Sequence, residues 1–145
     1  MINYSKSVEI RWADLDPNFH MLHSKYYDFG AYVRMCYLVE HGLTPENLRK
    51  NMLGPILFRE ECIFRKEILF GDKVEIDLVL VKARKDGSRF SFRHQIMKNG
   101  DQLAAILNVD GAWMDLGKRK LTGLPPELAE TFLSIPKAEE FEWQV

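Results

Sequence analysis

The chain has 145 residues, of which 46% are hydrophobic and 28% are charged, values typical of a single globular domain with one core. A formal net charge of -1 gives no broad basic field, so we expect neither nucleic acid nor a membrane surface as a partner. The sequence contains no run of about 18 apolar residues, the length that a membrane-spanning helix needs. Cys36 and Cys62 lie in unrelated contexts, which favours free thiols and a cytoplasmic location. We therefore treat residues 1–145 as one domain.

The first predicted elements are a strand, a polar loop and a long helix. In SVEIRW, apolar and charged residues alternate, which predicts a half-buried strand ending at Trp12. After the loop, Ser24 has the side chain of an N-cap, and apolar residues at helical spacing predict a helix over residues 25–41. Gly42 is a C-terminal stop signal. Thr44 followed by proline predicts the start of a short second helix.

The second half of the chain is predicted to be mainly antiparallel sheet. Its alternating apolar segments are ILFREECIFRKEI, KVEIDLVLVKAR, RFSFRHQIM and QLAAILNVDGAWM. The dipeptides Asp86-Gly87 and Asn99-Gly100 predict tight hairpin turns between the last strands. LPPELAETFL predicts a short surface helix. One long helix beside a long antiparallel sheet is an α+β layout in which the sheet covers the helix.

The loop before the long helix carries four ionisable side chains, from Asp14, Asp16, His20 and His23. An aspartate in such a loop most often accepts backbone N–H groups. The two histidines have no third histidine or cysteine nearby, so we expect no metal, and we expect no other cofactor. DLDPN is similar to the start of a calcium-binding loop, but Phe19 and Lys25 stand where that loop needs glycine and glutamate.

The order of strand, polar loop, long helix and long strands resembles the hotdog-fold acyl-CoA thioesterases of the 4-hydroxybenzoyl-CoA thioesterase family. The resemblance covers nearly the whole chain. Its most specific part is an aspartate at a strand end, a residue seven positions later that opens the helix, and a tyrosine three positions further on. Asp16, His23 and Tyr26 have this spacing. The resemblance implies a hotdog fold, with a long central helix wrapped by an antiparallel sheet of about five strands.

Two positions depart from that family. Ala31 stands in place of a glutamate one helix turn before Arg34, and Phe19 replaces a glycine before His20. Neither change affects the fold that the resemblance implies.

The resemblance also implies hydrolysis of an acyl-CoA thioester, with Asp16 as the nucleophile or general base. Attack on a thioester carbonyl also requires hydrogen-bond donors for the oxyanion. A helix N-terminus supplies unpaired N–H groups and about half a positive charge, so the amide of His23 or Ser24 is the expected donor. His20, Ser24 and Tyr26 are expected to contact the substrate.

Coenzyme A phosphates and a partner subunit are the remaining expected contacts. Basic residues flank one predicted hairpin and are candidates to bind the phosphates, namely Lys82, Arg84, Lys85 and Arg89. ILFREECIF and QLAAILNVDGAW are too apolar to face water, which favours a homodimer or a dimer of dimers. In the family that the chain resembles, strands of two subunits join, and Asp16 would face the amide of His23 across the interface.

Two other functions stay open. Hotdog hydratases and dehydratases carry an aspartate and a histidine after an Asp-x-Asn-Pro run, and DPNFH is superficially similar. A module that binds acyl-CoA without catalysis would keep the same fold. Release of free thiol from acyl-CoA esters distinguishes the three.

Overall fold

The computed structural model describes residues 3–145. A single 3₁₀ turn, Trp12–Asp14, precedes the first α-helix. The α-helices are α1 His23–Glu40, α2 Pro45–Lys50 and α3 Pro126–Phe132. The strands are β1 Ser5–Val8, β2 Leu53–Phe64, β3 Val74–Asp77, β4 Val79–Ala83, β5 Arg89–Lys98, β6 Gln102–Asp115, β7 Lys120–Leu121 and β8 Lys137–Trp143. The predicted α+β class is confirmed.

The described strands form one eight-stranded sheet. β3 and β4 both pair with β5 and lie end to end, separated by Leu78. The sequence KVEIDLVLVKAR predicts one continuous strand here and gives no sign of this break. β1 pairs with β3, and β8 pairs with β4. β1 and β8 therefore lie together on one edge of the sheet. β6 pairs with β5 and β2, and β7 adds a short pairing to β6. The predicted number of about five strands is therefore too low. Because several short strands lie end to end, the eight strands fill only five positions across the sheet.

Helix α1 contributes its buried face to the core. That face consists of Tyr26, Gly30, Val33, Tyr37 and Leu38, at the spacing expected for one side of a helix. A Cβ atom added to Gly30 would lie 2.7 Å from Cδ1 of Leu107 on β6, so the missing side chain allows the helix to approach the sheet closely.

Two predicted boundaries at the start of the chain are wrong. The first strand ends at Val8 rather than Trp12, and Trp12 is 74% exposed. The cause is Asp14, whose side chain bonds back to Arg11 and closes the 3₁₀ turn. Ser24 is not the N-cap of α1, because the helix already begins at His23 with Leu22 in the cap position.

Other local predictions are confirmed. The hydroxyl of Thr44 accepts the N–H of Asn47 at 3.1 Å and caps α2. Gly42, just beyond the end of α1, has φ +89°. Asn99 and Gly100 both have positive φ, as the turn between β5 and β6 requires.

The segment QLAAILNVDGAW was expected to need a partner subunit to cover it, and this is wrong. It forms most of β6, which lies between β2 and β5 in the interior of the sheet. Its residues Ala104, Leu107 and Val109 are fully buried within the chain. The apolar segment at an edge of the sheet is β2, which among the described strands pairs only with β6.

Within residues 3–145, no helix has the length and apolar character that crossing a bilayer requires.

Candidate active site

A cleft of about 340 Å³ lies between the loop that leads into α1 and the segment that leaves β2. One wall carries Asp16, His20, Met21, His23 and Tyr26, and the other Phe64, Arg65, Lys66 and Glu67. The structure therefore brings together four residues that the sequence singled out, Asp16, His20, His23 and Tyr26. It adds the second wall, which sequence reasoning missed.

The Asp16 carboxylate is held by its own loop. Its Oδ1 accepts the backbone N–H groups of Asn18 at 2.8 Å and His20 at 3.1 Å, while its N–H donates to the carbonyl of His20 at 2.8 Å. Within residues 3–145, Oδ2 has no hydrogen-bond donor. One oxygen is thus anchored, and the other is free to act on a substrate or a water molecule.

Phe19 gives this loop an unusual backbone. Its φ is +65°, in the left-handed region that glycine adopts without steric cost. The ring contacts Trp12, with 6.0 Å between ring centroids. Phe19 therefore has a conformation that favours glycine, the residue that the resemblance implies at this position.

The N-terminus of α1 opens into the same cleft. Leu22 provides no side-chain cap, and the N–H groups of His23 and Ser24 have no acceptor among the described residues. These donors carry the partial positive charge of the helix dipole. Asp16 and His23 line the cleft within a single chain, whereas the resemblance implied that they meet across a subunit interface.

Asp14, two residues before Asp16, has a different role. Its side chain is fully buried and accepts hydrogen bonds from Arg11 at Nη2 (2.9 Å), at Nε (3.1 Å) and at the backbone N–H (2.9 Å). The hydrogen bonds from the Arg11 guanidinium are the main reason that the pKa of Asp14 lies below its usual value. Asp14 therefore stabilises the loop, which is the ordinary role expected for it.

Other cleft residues tie the two walls together. The His20 ring lies 3.2 Å from the carboxylate of Glu67, and the Tyr26 ring packs edge-on against Phe64 with centroids 4.9 Å apart. Burial raises the pKa of Tyr26 to about 12, so its hydroxyl stays protonated at neutral pH. Ser24 is exposed and does not line the cleft.

The basic residues expected to bind phosphates lie elsewhere in the chain. None of Lys82, Arg84, Lys85 and Arg89 lines the cleft. The Arg89 guanidinium stacks on Phe58 at 5.2 Å, and Lys82 pairs with Glu142 at 3.3 Å. Their role in binding coenzyme A stays a prediction. The exposed basic residues inside the cleft are Arg65 and Lys66, and their signal in the sequence is a basic pair directly after an apolar strand.

A buried polar pair lies further along α1. Arg34 Nη1 is 2.9 Å from Nε2 of His94, and Nδ1 of the same ring is 2.7 Å from the carbonyl oxygen of Asp77. The pKa of His94 falls to about 3, chiefly because the ring is buried and also because Arg34 is positive. Arg34 Nη2 lies 3.6 Å from the carboxylate of Glu60. The sequence offered a signal that was missed, since His94 shares the buried face of β5 with Phe90, Phe92 and Ile96.

Metal-ligating residues do not cluster in the part of the chain that the structure describes. Among residues 3–145, no group of three His, Cys, Asp or Glu side chains is placed to hold an ion.

The family is decided by comparison of the sequence with known protein families. A family model described as the thioesterase-like superfamily matches residues 10–132. The chain belongs to this superfamily. No curated protein sequence matches significantly. The resemblance to the hotdog thioesterases that Asp16, His23 and Tyr26 carry is thereby confirmed at the level of the family.

Solved structures share the fold. A hypothetical protein of Staphylococcus aureus, determined in complex with CoA, matches with a TM-score of 0.85 and 16% identity over 96% of this chain and 91% of that one. The 1,4-dihydroxy-2-naphthoyl-CoA thioesterase of Synechocystis matches with a TM-score of 0.80 and 17% identity over 90% and 96%. A DHNA-CoA thioesterase of Staphylococcus aureus matches with a TM-score of 0.82 and 18% identity over 92% and 91%.

Proposed function

We propose that the protein hydrolyses an acyl-CoA thioester and releases a carboxylic acid and free coenzyme A. The observation that carries this proposal is the single cleft lined by both Asp16 and His23, the first residue of α1, whose N–H has no acceptor among the described residues. A nucleophile or base beside oxyanion donors is the minimum that acyl transfer requires. Membership of the thioesterase-like superfamily and a similar fold determined with CoA support the same reaction.

In the proposed reaction, the free Oδ2 of Asp16 either attacks the thioester carbon or removes a proton from an attacking water. The N–H of His23, with that of Ser24, then donates to the oxygen that becomes negative. One such donor contributes about 3 kcal/mol to lowering the barrier. The C–S bond breaks, the sulfur leaves as thiolate, and water supplies the oxygen of the acid. A direct attack adds one step, because water must then hydrolyse the acyl anhydride on Asp16.

The rest of the cleft is proposed to bind the substrate. Tyr26 and Phe64 supply apolar surface next to the reacting carbonyl, and His20 lies at the same wall. Two basic groups are candidates for the coenzyme A phosphates: Arg65 with Lys66 in the cleft, and Arg84, Lys85 and Arg89 at the β4–β5 hairpin. Ser24 would contribute its backbone rather than its side chain.

The active unit is proposed to be a homodimer or a pair of dimers that meet through β2. This strand has 12 residues and lies at an edge of the described sheet. Leu57, Phe58, Ile63 and Phe64 on it are all more than 40% exposed. A long, apolar edge strand is normally covered, and a two-fold partner could pair with it along its length.

The test is a panel of acyl-CoA thioesters of different lengths, scored by release of free thiol. Hydrolysis of one or more esters, with loss of turnover in Asp16→Asn, is the expected result. Hydration of an enoyl-CoA without thiol release would favour the hydratase alternative. Tight binding without either reaction would favour the non-catalytic module, and both outcomes contradict the proposal.

A further inference from the structure

Exposed basic residues are concentrated at one end of the sheet, where α2 ends and β6 turns back into β7. The two turns involved are residues 49–52 and 116–121, which we call the basic tip. The N–H of Leu116 donates to the carbonyl of Met52 at 2.8 Å, and Leu53 pairs with Asp115, so the two turns lie side by side. All ten residues of the basic tip are exposed.

The charge of the chain is unevenly distributed, although its formal sum is only -1. The basic tip carries five basic side chains, from Arg49, Lys50, Lys118, Arg119 and Lys120. Among residues 3–145, none of the five forms an ion pair with a carboxylate. The adjacent acid, Asp115, uses Oδ1 to accept the N–H groups of Gly117 and Lys118, at 2.9 Å each. The tip therefore presents an excess of positive charge to solvent.

Three apolar side chains lie among these charges. Met52 is 49% exposed, Leu116 37% and Leu121 39%. Met52 also has φ +56°, in the left-handed region that glycine or asparagine adopts at lower cost, so the turn itself does not require methionine. Apolar side chains surrounded by cations suit the interfacial zone of a bilayer, where acyl chains meet charged head groups.

We propose that the basic tip binds the surface of a membrane that contains anionic lipids. The basic side chains would contact the head-group phosphates, and the three apolar side chains would enter the layer beneath them. Clusters of about four to eight basic residues are typical of surfaces that recognise anionic lipids. The net charge of the chain predicted no membrane partner, but charge acts over only about 10 Å in physiological salt, so the local excess decides.

Nucleic acid is a less suitable polyanion for this surface. The basic tip contains no aromatic residue on which a base could stack. Its exposed apolar side chains would also face phosphates rather than acyl chains. The lining of the tip therefore favours lipid.

The position of the basic tip leaves the catalytic cleft accessible. β2 runs from Leu53, beside the tip, to Phe64 in the cleft, which is about 36 Å along an extended strand. A bilayer in contact with the tip therefore need not cover the cleft of the same chain. The proposal concerns binding alone and does not rest on the proposed hydrolysis.

Vesicle sedimentation tests the proposal with the full chain. The protein is mixed with vesicles of phosphatidylcholine alone, or of equal parts of phosphatidylcholine and phosphatidylglycerol, at low and at physiological salt. We expect binding to the anionic vesicles that weakens with salt, and binding to phosphatidylcholine that is at least about tenfold weaker. Equal binding to the two kinds of vesicle, or binding to neither, would overturn the proposal.

The charge contribution is tested by Lys118→Gln combined with Lys120→Gln. This variant should lower the partition coefficient on anionic vesicles about 25-fold, at roughly fivefold per charge. Lys73→Gln combined with Lys137→Gln is the matched control, because both are exposed lysines outside the basic tip. The control should bind within about twofold of the wild type. An equal loss in the two variants would assign the attraction to overall charge and overturn the proposal.

The apolar contribution is tested by Met52→Asn combined with Leu121→Thr. The variant keeps every charge, asparagine tolerates the positive φ of position 52, and threonine suits the strand position of residue 121. We expect the partition coefficient to fall about tenfold, with the salt dependence unchanged. Wild-type affinity in this variant would show that no side chain enters the lipid, which contradicts the proposal.

Two other occupants would give different results. Binding of an RNA oligonucleotide that is lost with Lys118 and Lys120, without vesicle binding, would assign the tip to nucleic acid. If a partner subunit pairs with β2 in the antiparallel direction, the tip lies near the partner's cleft, and its cations would be available to coenzyme A. The lysine variant would then raise KM for acyl-CoA without vesicles, whereas the lipid proposal expects an unchanged KM. Binding to anionic vesicles by a protein that hydrolyses no thioester would contradict the proposed hydrolysis alone.

Discussion

Arg34 on α1 donates from Nη1 to Nε2 of His94 on β5, across a distance of 2.9 Å. An arginine has no acceptor atom, so Nε2 must be unprotonated, and Nδ1 carries the proton that it donates to the carbonyl of Asp77. The ring is therefore held in one neutral tautomer where the helix meets the sheet. This arrangement makes the stability of the protein depend on pH.

Acid should destabilise the protein through His94. The unfolded histidine binds a proton below pH of about 6.5, whereas the folded ring, with its pKa lowered to about 3, does not. The free energy of unfolding should therefore fall as pH drops from about 6.5 toward 3, by up to about 1.4 kcal/mol per pH unit from this residue. Urea unfolding of the wild type and of His94→Gln between these pH values measures the difference. A variant as sensitive to acid as the wild type would contradict the assignment.

Asp16 and Asp14 should separate catalysis from stability. Asp16→Asn keeps the shape of the side chain and removes its charge, so kcat should fall by about 10²–10⁴. The melting temperature should change little, because the Asp16 side chain accepts two backbone N–H groups of its own loop and no others among residues 3–145.

Asp14→Asn is the matched control. It weakens the hydrogen bonds from Arg11 to a buried carboxylate and should cost about 2 kcal/mol of stability. Its kcat should stay near that of the wild type at a temperature where it is folded. If Asp14→Asn abolished turnover and Asp16→Asn did not, Asp14 rather than Asp16 would be the catalytic carboxylate.

The backbone N–H of His23, rather than its ring, is expected to hold the oxyanion. His23→Pro deletes this donor at the first position of α1, where proline is well tolerated, and Leu22 before it already has the extended conformation that proline favours. We expect kcat to fall by about 10²–10³. His23→Ala keeps the N–H and should retain most of the activity. Equal losses in the two variants, measured at matched circular dichroism, would point to the imidazole instead.

Local signals in the sequence were sufficient for much of this fold. Thr44 with its proline, Gly42 and Asn99-Gly100 act through their own backbone, so each predicted its turn or cap without knowledge of the rest of the chain. Asp16, the candidate catalytic group, was found through the resemblance, because its spacing to His23 and Tyr26 matches the pattern of that family.

Features that depend on distant contacts were missed. β8 has the charged sequence KAEEFEW and is recognisable only from its pairing with β4. The second wall of the cleft, with Arg65 and Lys66, comes from the end of β2 and the segment that follows it, and it meets the first wall only in the folded chain. A contact between such distant segments leaves no local pattern in the sequence, because it depends on how the sheet folds over α1.

The two basic groups should differ in their effect on coenzyme A binding. Neutralising Arg65 and Lys66 together, by exchange to Gln, should raise KM for acyl-CoA about fivefold, with a larger effect at low salt. The pair Arg84→Gln and Arg89→Gln tests the hairpin group in the same way. Esters of a short thiol without the nucleotide are the control, and neither double variant should change their KM. If only the hairpin variant affects acyl-CoA, the phosphates lie at the hairpin and not in the cleft.

Mixed dimers decide whether one subunit or two build each site. Asp16 and His23 line one cleft of a single chain, so a dimer of one Asp16→Asn subunit and one His23→Pro subunit should contain no intact site and should be inactive. Mixtures of wild type with Asp16→Asn should retain activity in proportion to the wild-type fraction. Native mass spectrometry of differently tagged subunits verifies the exchange. Recovery of up to half the wild-type activity in the doubly mutant mixture would show instead that the carboxylate of one subunit acts at the helix N-terminus of the other, the arrangement that the resemblance first implied.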